Sequence, residues 1–278
     1  MSAVHDLKET LEQLQTAQFV TTMLRDISAT RLQSIRSAYM ANEVYYTELH
    51  ELMRLVKSYA AAHAPHTLYK NNEAGRVYVA LTSNKRFYGI LNHRVLQHYF
   101  ELRQSDQTAA GLIVGQTGRN IVNTRDQAEE TEFFSFAKDT PKPEETLKLI
   151  ESLAGYTEVV VVHPTFVSSF TQNVAVTDIS HVPKESVKET PPLDYLFEPD
   201  IPDMLKFFTK QIRLVLFERV LLETELALTG ARLMKMQRAR ERAKELVGEQ
   251  RHTIYKEVST VKSMRLLETF TGFAKKDL

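Results

Sequence analysis

The sequence has no cysteine among its 278 residues. That excludes disulfides, thiolate metal sites and thiol chemistry, and it suits a reducing compartment. Proline is absent from the first 64 residues and from everything after Pro202; all nine prolines and six of the nine glycines fall between Pro65 and Pro202. Proline removes a hydrogen bond from a helix interior and clashes with the preceding turn, and glycine there costs about 1 kcal/mol relative to alanine. The two ends of the chain therefore read as long helices bracketing a compact middle. A helix from Asp203 to Phe273 would run roughly 100 Å at about 1.5 Å per residue, longer than a single globular core, so it is expected to project and to serve a mechanical or partner-binding role. Long hydrophobic runs are missing too. A bilayer span needs about 20 apolar residues, and the strongest run is Val159 to Val162. The segment from Met1 to Glu12 is polar and acidic, unlike a secretory signal, so the cytosol is the default expectation. The formal net charge is zero, which argues against a protein built to hold nucleic acid by its phosphates.

What is present is helical periodicity at both ends. Val4, Leu7, Leu11 and Leu14 alternate three- and four-residue steps, and Val20, Leu24, Ile27, Ile35 and Ala38 continue the stripe with some drift. Leu205, Phe208, Ile212, Val215, Leu222, Leu226, Leu233, Met236, Ala243, Val247 and Ile254 fit one frame of the same kind. That spacing makes a narrow seam for another helix. Arg219, Thr229, Arg240 and Gln250 interrupt it, which suits an antiparallel intramolecular pair better than a dimeric zipper. The expected fold is α/β with long helices: an antiparallel coiled coil of N- and C-terminal helices, 1–64 and 201–278, bracketing a small Rossmann-like α/β domain at 65–200. Within the middle, Val77 to Leu81, Gly111 to Val114, Glu158 to Val162 and Gln172 to Asp178 read as strands. Arg94 to Leu102 reads as a helix, and Pro143 opens another, with Glu144 and Glu145 favoured by the helix dipole. That helix is expected to carry Leu147, Ile150 and Leu153 inward and to stop near Gly155. The segment His181 to Pro192 reads as a surface loop.

Catalytic constellations are wanting. Gly111-Leu-Ile-Val-Gly115-Gln-Thr-Gly118-Arg119-Asn120 has Arg119 and Asn120 where a phosphate loop needs lysine and Ser or Thr, and its glycine spacing is wrong. It reads as a glycine turn after a strand. His163 stands after the best strand with no partner set at a recognisable spacing; His93 and His98 are five apart, poor for sharing a metal. No catalytic residue, cofactor site or metal site is therefore expected. Arg232 to Arg251 holds seven Lys or Arg against three Glu, either a solvated face or a face for an acidic partner. The tip residues Met264, Leu266, Leu267, Phe270 and Phe273 are apolar enough to expect packing on something.

Four stretches, in order, resemble the gamma subunit of F-type ATP synthases. Asp194-Tyr-Leu-Phe-Glu-Pro-Asp200 is similar to the family's D-Y-L/I-x-E-P-D/S. Gly230-Ala231-Arg232-Leu233-Met234-Lys235-Met236-Gln237-Arg238-Ala239 resembles A-A-R-M-x-A-M-K-x-A. Tyr78 to Asn92 resembles V-x-x-T-S-D-R-G-L-C-G-G-L/F-N, and Val20 to Leu32 resembles I-T-K-A-M-x-M-V-A-A-x-K-L. The chain departs from the pattern at Phe87-Tyr88-Gly89-Ile90, where the family has C-G-G, at Thr22, at Ala227-Leu228, at Arg240-Glu241-Arg242-Ala243 and at the tip, Glu268 to Leu278. A divergent gamma subunit and a paralogue in an ATPase with another output both remain open.

The resemblance implies a non-catalytic central rotor shaft that couples ion-driven rotation to ATP synthesis or hydrolysis in a catalytic hexamer. It implies alpha and beta subunits, an epsilon-like subunit and a membrane ring of c subunits as partners, with no nucleic acid and no membrane span of its own. It places the protein peripherally at the cytoplasmic face of the inner or plasma membrane. By the same resemblance, Met23, Arg31, Arg232, Lys235, Met236, Arg238, Arg240, Arg242, Tyr195, Glu198, Phe270 and Phe273 are expected to meet partners. Gly230 and Gly248 are the expected weak points of the shaft. The alternatives are a small-molecule-binding α/β module, with a polar pocket near His163 or Ser83 to Arg86, and a non-rotary coiled-coil scaffold.

Overall fold

The computed structural model describes residues 2–63, 75–124, 131–137, 141–168, 170–180, 198 and 200–274. Ten elements follow in chain order: α1 (Ser2–His63), β1 (Arg76–Leu81), α2 (Leu91–Ser105), β2 (Ala110–Val114), α3 (Gln116–Thr124), β3 (Thr131–Phe134), α4 (Pro143–Leu153), β4 (Glu158–Phe166), β5 (Gln172–Asp178) and α5 (Ile201–Ala274). α1 is 62 residues long and α5 is 74, so α5 runs unbroken past both Gly230 and Gly248. Contacts divide the chain into two units: residues 29–232, and residues 1–28 with 233–278.

The larger unit contains the sheet, in the order β3-β2-β1-β4-β5. β1 pairs in parallel with β2 and β4, β2 in parallel with β3, and β4 antiparallel with β5. Successive side chains of a strand point to opposite faces, and both faces are covered. Val77, Val79, Leu81, Val159 and Val161 pack with Leu149 and Leu153 of α4 and Phe217 and Val220 of α5. Tyr78, Ala80 and Val162 pack on the other face with Val95, Leu96 and Tyr99 of α2 and Val122 of α3. This double burial is why β1 and β4 read as continuous apolar runs.

α1 and α5 pair antiparallel within this unit. Leu49, Met53, Ile212 and Val215 form a buried cluster, joined by Tyr46 and Phe208. Polar links run in the same reversed order. Arg31 bonds Glu225 at 2.6 Å, Glu43 bonds Arg219 at 2.9 Å, and Gln211 donates to Tyr45 at 3.3 Å. In the smaller unit, Gln250 Nε2 donates to the Leu7 carbonyl at 3.0 Å, and Met236, Ala243 and Val247 are buried.

Several local expectations need correction. The seam of α1 continues from Leu14 through polar residues: Gln18, Thr21 and Arg25 are half-buried and Ser28 is buried, while Val20, Ile27 and Ala38 are exposed. The Ser28 hydroxyl avoids an unmet bond by donating to the Leu24 carbonyl at 2.7 Å. On α4, Leu147 is 44% exposed and Leu149 is fully buried; Thr146, Leu149 and Leu153 make the inner face, with Ile150 packed beside it. His163 and Pro164 lie inside β4, not after it. Proline fits there because the pairing with β1 ends at Val162, so its missing N–H leaves no gap in that ladder. The glycine segment continues into α3, and β3 follows it; neither element was expected. Gly230 is closely packed: a side chain there would press on the Phe166 ring, 2.9 Å from the nearest ring carbon. Tyr195 and the loop 181–192 lie outside the described residues.

Candidate functional site

An open parallel sheet binds ligands where its strand order reverses, outside the carboxyl ends of the strands. Here that point lies between β1 and β4. The chain's own side chains occupy it. Tyr88, in the turn after β1, is buried with Leu91 of α2 and Leu228 and Ala231 of α5. Arg232 donates to the Tyr88 hydroxyl and lies 4.5 Å above its ring, a cation–π contact. Phe87 beside it holds φ 78° and is 62% exposed, a backbone region unusual for a bulky residue.

The start of α3 is also committed. The amides of Gln116, Thr117 and Gly118 donate to Asn84 Oδ1 at 2.9 Å, the Ser83 carbonyl at 2.9 Å and Thr82 Oγ1 at 3.1 Å. Gly115 donates to the Phe134 carbonyl at 2.8 Å. A helix start binds phosphate through free amides, and these have protein acceptors. The glycines serve packing: Gly115 holds φ +109°, and a side chain on Gly115 or Gly118 would collide with Thr82.

His163 is 1% exposed. Its Nδ1 lies 3.1 Å from the Pro164 carbonyl and its Nε2 2.9 Å from Thr177 Oγ1. The carbonyl can only accept, so Nδ1 carries the proton and Nε2 accepts from the Thr177 hydroxyl. Burial pushes its pKa down, against the pull of the Glu223 carboxylate. Both nitrogens are engaged, so the ring is built in as structure. No group of three or more His, Cys, Asp or Glu able to hold a metal occurs among the described residues.

The residues expected to meet partners fall into distinct settings. In the smaller unit, Met23 is 45% exposed and shares one α1 face with exposed Phe19, Val20 and Ile27. Lys235 and Arg238 are exposed and Arg240 half-buried, and none has an acidic partner among the described residues. Arg242 is paired with Glu245 at 3.0 Å on the surface. Met236 is buried in the seam, while Phe270 is 71% exposed beside exposed Met264, Leu266 and Leu267. Phe273 lies in α5, and its side chain is outside the description. In the larger unit, Arg31 and Arg232 are engaged as described above, and Glu198 is exposed just before α5. The Asp200 carbonyl accepts from the amides of Asp203 and Met204 at 3.0 and 3.1 Å, opening that helix. Two residues of the exposed α1 strip, Val20 and Ile27, read by hydrophobicity as part of the seam, which hides the strip. The signal was available in the unbroken three- and four-residue count from Leu14 through Thr21 to Ser28.

The chain is similar to known proteins over nearly its whole length. The ATP synthase gamma chain of Moorella thermoacetica is 26% identical over 260 residues, covering 89% of each chain. That of Desulfitobacterium hafniense is 24% identical, again covering 89% of each. Among solved structures, the Tetrahymena thermophila mitochondrial ATP synthase central stalk and c-ring has a chain with TM-score 0.59 at 14% identity, matching 79% of this chain and 99% of that one. A chain of the Euglena gracilis mitochondrial ATP synthase rotor gives 0.54 at 13% identity, matching 94% and 99%. The ATP synthase family model matches residues 3–257, and with that match, on these paired helices and this sheet, the chain belongs to the ATP synthase family.

Proposed function

We propose that the chain is the central rotor shaft, the gamma subunit, of an F-type ATP synthase. The observation that carries this reading is the family match across residues 3–257, together with relatives named gamma chain that align over 89% of the chain. The fold agrees with it: two long helices bracket a sheet whose ligand crevice is filled from within. A shaft needs stiffness, and the proline-free α1 and α5 provide it. An asymmetric shaft biases three otherwise equal catalytic sites through different contacts with each, and rotation exchanges their states.

On this reading 1–64 and 201–278 are the arms and 65–200 the globular domain. The exposed strip with Met23, the cations Lys235, Arg238 and Arg240, and the apolar Phe270 region meet the alpha and beta subunits of the catalytic hexamer. Tyr195, Glu198 and the start of α5 face the epsilon-like subunit and the ring of c subunits. The protein sits peripherally at the cytoplasmic face of the inner or plasma membrane; no helix among its described residues is long and apolar enough to cross one. The chain itself catalyses nothing. The committed amides at the start of α3 support that, and calorimetric titration of the purified chain with ATP and magnesium should show no micromolar binding. Heat signalling such binding would overturn it.

The decisive experiment is affinity purification of the tagged full chain from its native cells. Alpha, beta, epsilon-like and c subunits should come with it in fixed ratio. A set of partners without catalytic alpha and beta subunits would remove the rotor reading in favour of a non-rotary scaffold.

A further inference from the structure

The larger unit holds a cavity of about 640 Å³ beside the start of α5. Buried residues of the sheet core line it, Leu153, Val159, Ile179 and Phe217, with Ile150 and Leu205 beside them. Its rim carries Lys57 of α1 and Lys206, Lys210 and Arg213 of α5, against one carboxylate, Glu151 of α4. Pro202, Leu205, Thr209, Arg213 and Phe217 recur every three or four residues, so one face of α5 lines the cavity from its first turn. We infer that this cavity takes a single-chain amphiphile with a carboxylate head, of the long-chain fatty acid class.

Two observations point there. Arg213 is already committed, its Nη2 donating to the Ser180 carbonyl at 3.3 Å. Lys57 and Lys210 have no acidic partner among the described residues, and burial holds Lys57 below its ordinary pKa, a cost that a bound anion removes. Lys206 is partly committed to Asp203 at 3.4 Å. The walls are apolar and the volume lies within the ~300–1,000 Å³ of small-ligand pockets. That is room for one acyl chain, not for the two chains and glycerol of a phospholipid. Cations at the mouth and hydrocarbon below select a head and tail in that order.

The inference concerns the isolated chain and does not depend on which complex it joins. The test is displacement of a fluorescent fatty acid from the purified full chain, below micelle-forming concentrations, by octanoate, decanoate and laurate. One saturable site is expected. Each added methylene should tighten binding roughly fourfold, as burying about 0.8 kcal/mol of hydrocarbon per methylene implies. Dodecyltrimethylammonium, with the same tail and the opposite charge, should not compete. Lys57→Gln with Lys210→Gln should weaken laurate at least tenfold, and Thr209→Phe, which fills the cavity from α5, should abolish it; thermal unfolding checks that each variant is folded. Absence of saturable binding, equal competition by the cationic detergent, indifference to both variants, or binding only to anionic phospholipid vesicles would each overturn it.

Discussion

Gly230 and Gly248 sit on the same helix in opposite settings. A side chain at Gly230 would push into Phe166, while at Gly248 there is nothing within 4 Å. Gly248→Ala should therefore stabilise the protein by up to about 1 kcal/mol, because alanine suits a helix interior better. Gly230→Ala should destabilise it by about 1–3 kcal/mol through overpacking. Thermal unfolding of the two variants should shift in opposite directions; a shared direction would show that helix propensity alone governs both. His163 gives a pH signature. Its folded pKa lies below the ordinary 6.5 because it is buried. As pH falls through about 6.5 the unfolded chain takes up a proton that the folded chain refuses, so this contribution is complete above 6.5 and is lost below it, by at most about 1.4 kcal/mol per pH unit. Thr177 and Glu223 act on the ring, and the Thr165 hydroxyl donates to Glu223. His163→Gln should be less stable at pH 7.5 and show a flatter stability profile between pH 6.5 and 5. A profile as steep as the parent's would assign the acid sensitivity to other groups.

At the scale of the element, what the sequence discloses depends on how a helix or strand is buried. α5 was legible because the apolar members of its frame from Leu205 to Ile254 are all buried or half-buried, despite the interruptions at Arg219, Thr229, Arg240 and Gln250. α1 was legible as a helix but not in its facing, since its seam passes through Gln18, Thr21, Arg25 and Ser28 while Phe19, Val20, Met23 and Ile27 lie outside it. Polar residues fill a seam where bonds within the helix satisfy them, as at Ser28, and hydrophobicity alone then points to the wrong face. α3 was hidden for a related reason: its first amides are held by Thr82, Ser83 and Asn84, residues more than thirty positions earlier. The two methionines named as partner contacts separate cleanly on this basis. Met236→Ala removes a buried side chain from the seam and should cost about 2–5 kcal/mol. Met23→Ser, on the exposed strip, should change stability by no more than about 0.5 kcal/mol yet weaken recovery of the catalytic subunits. Chemical denaturation and co-purification, measured together, distinguish the two; loss of stability in Met23→Ser would place that strip inside the fold.

For the whole molecule, zero net charge conceals a local excess. The stretch from Arg232 to Arg251 is basic, and the structure sorts its cations. Arg232 is held by Tyr88, Arg242 by Glu245, and Lys235, Arg238 and Arg240 have no acidic partner among the described residues. The glutamates of the helix therefore do not neutralise those three, which on the rotor reading would meet an acidic partner along the face. Each exposed pair so formed contributes only about 0–1 kcal/mol, and single substitutions should do little. Lys235→Gln, Arg238→Gln and Arg240→Gln together should lower recovery of alpha and beta subunits and the coupling of ATPase activity. The deficit should be larger at low salt than at high, because at 0.15 M and above screening confines exposed charges to within about 8 Å and already weakens the parent's attraction. Arg242→Gln is the control: its charge is spent on Glu245, so its effect should be smaller than that of any two of the three. Recovery and coupling equal to the parent's at both salt concentrations would show that this face is only solvated. The rotor would then be held by shape and apolar contact along the Met23 strip and the Phe270 region.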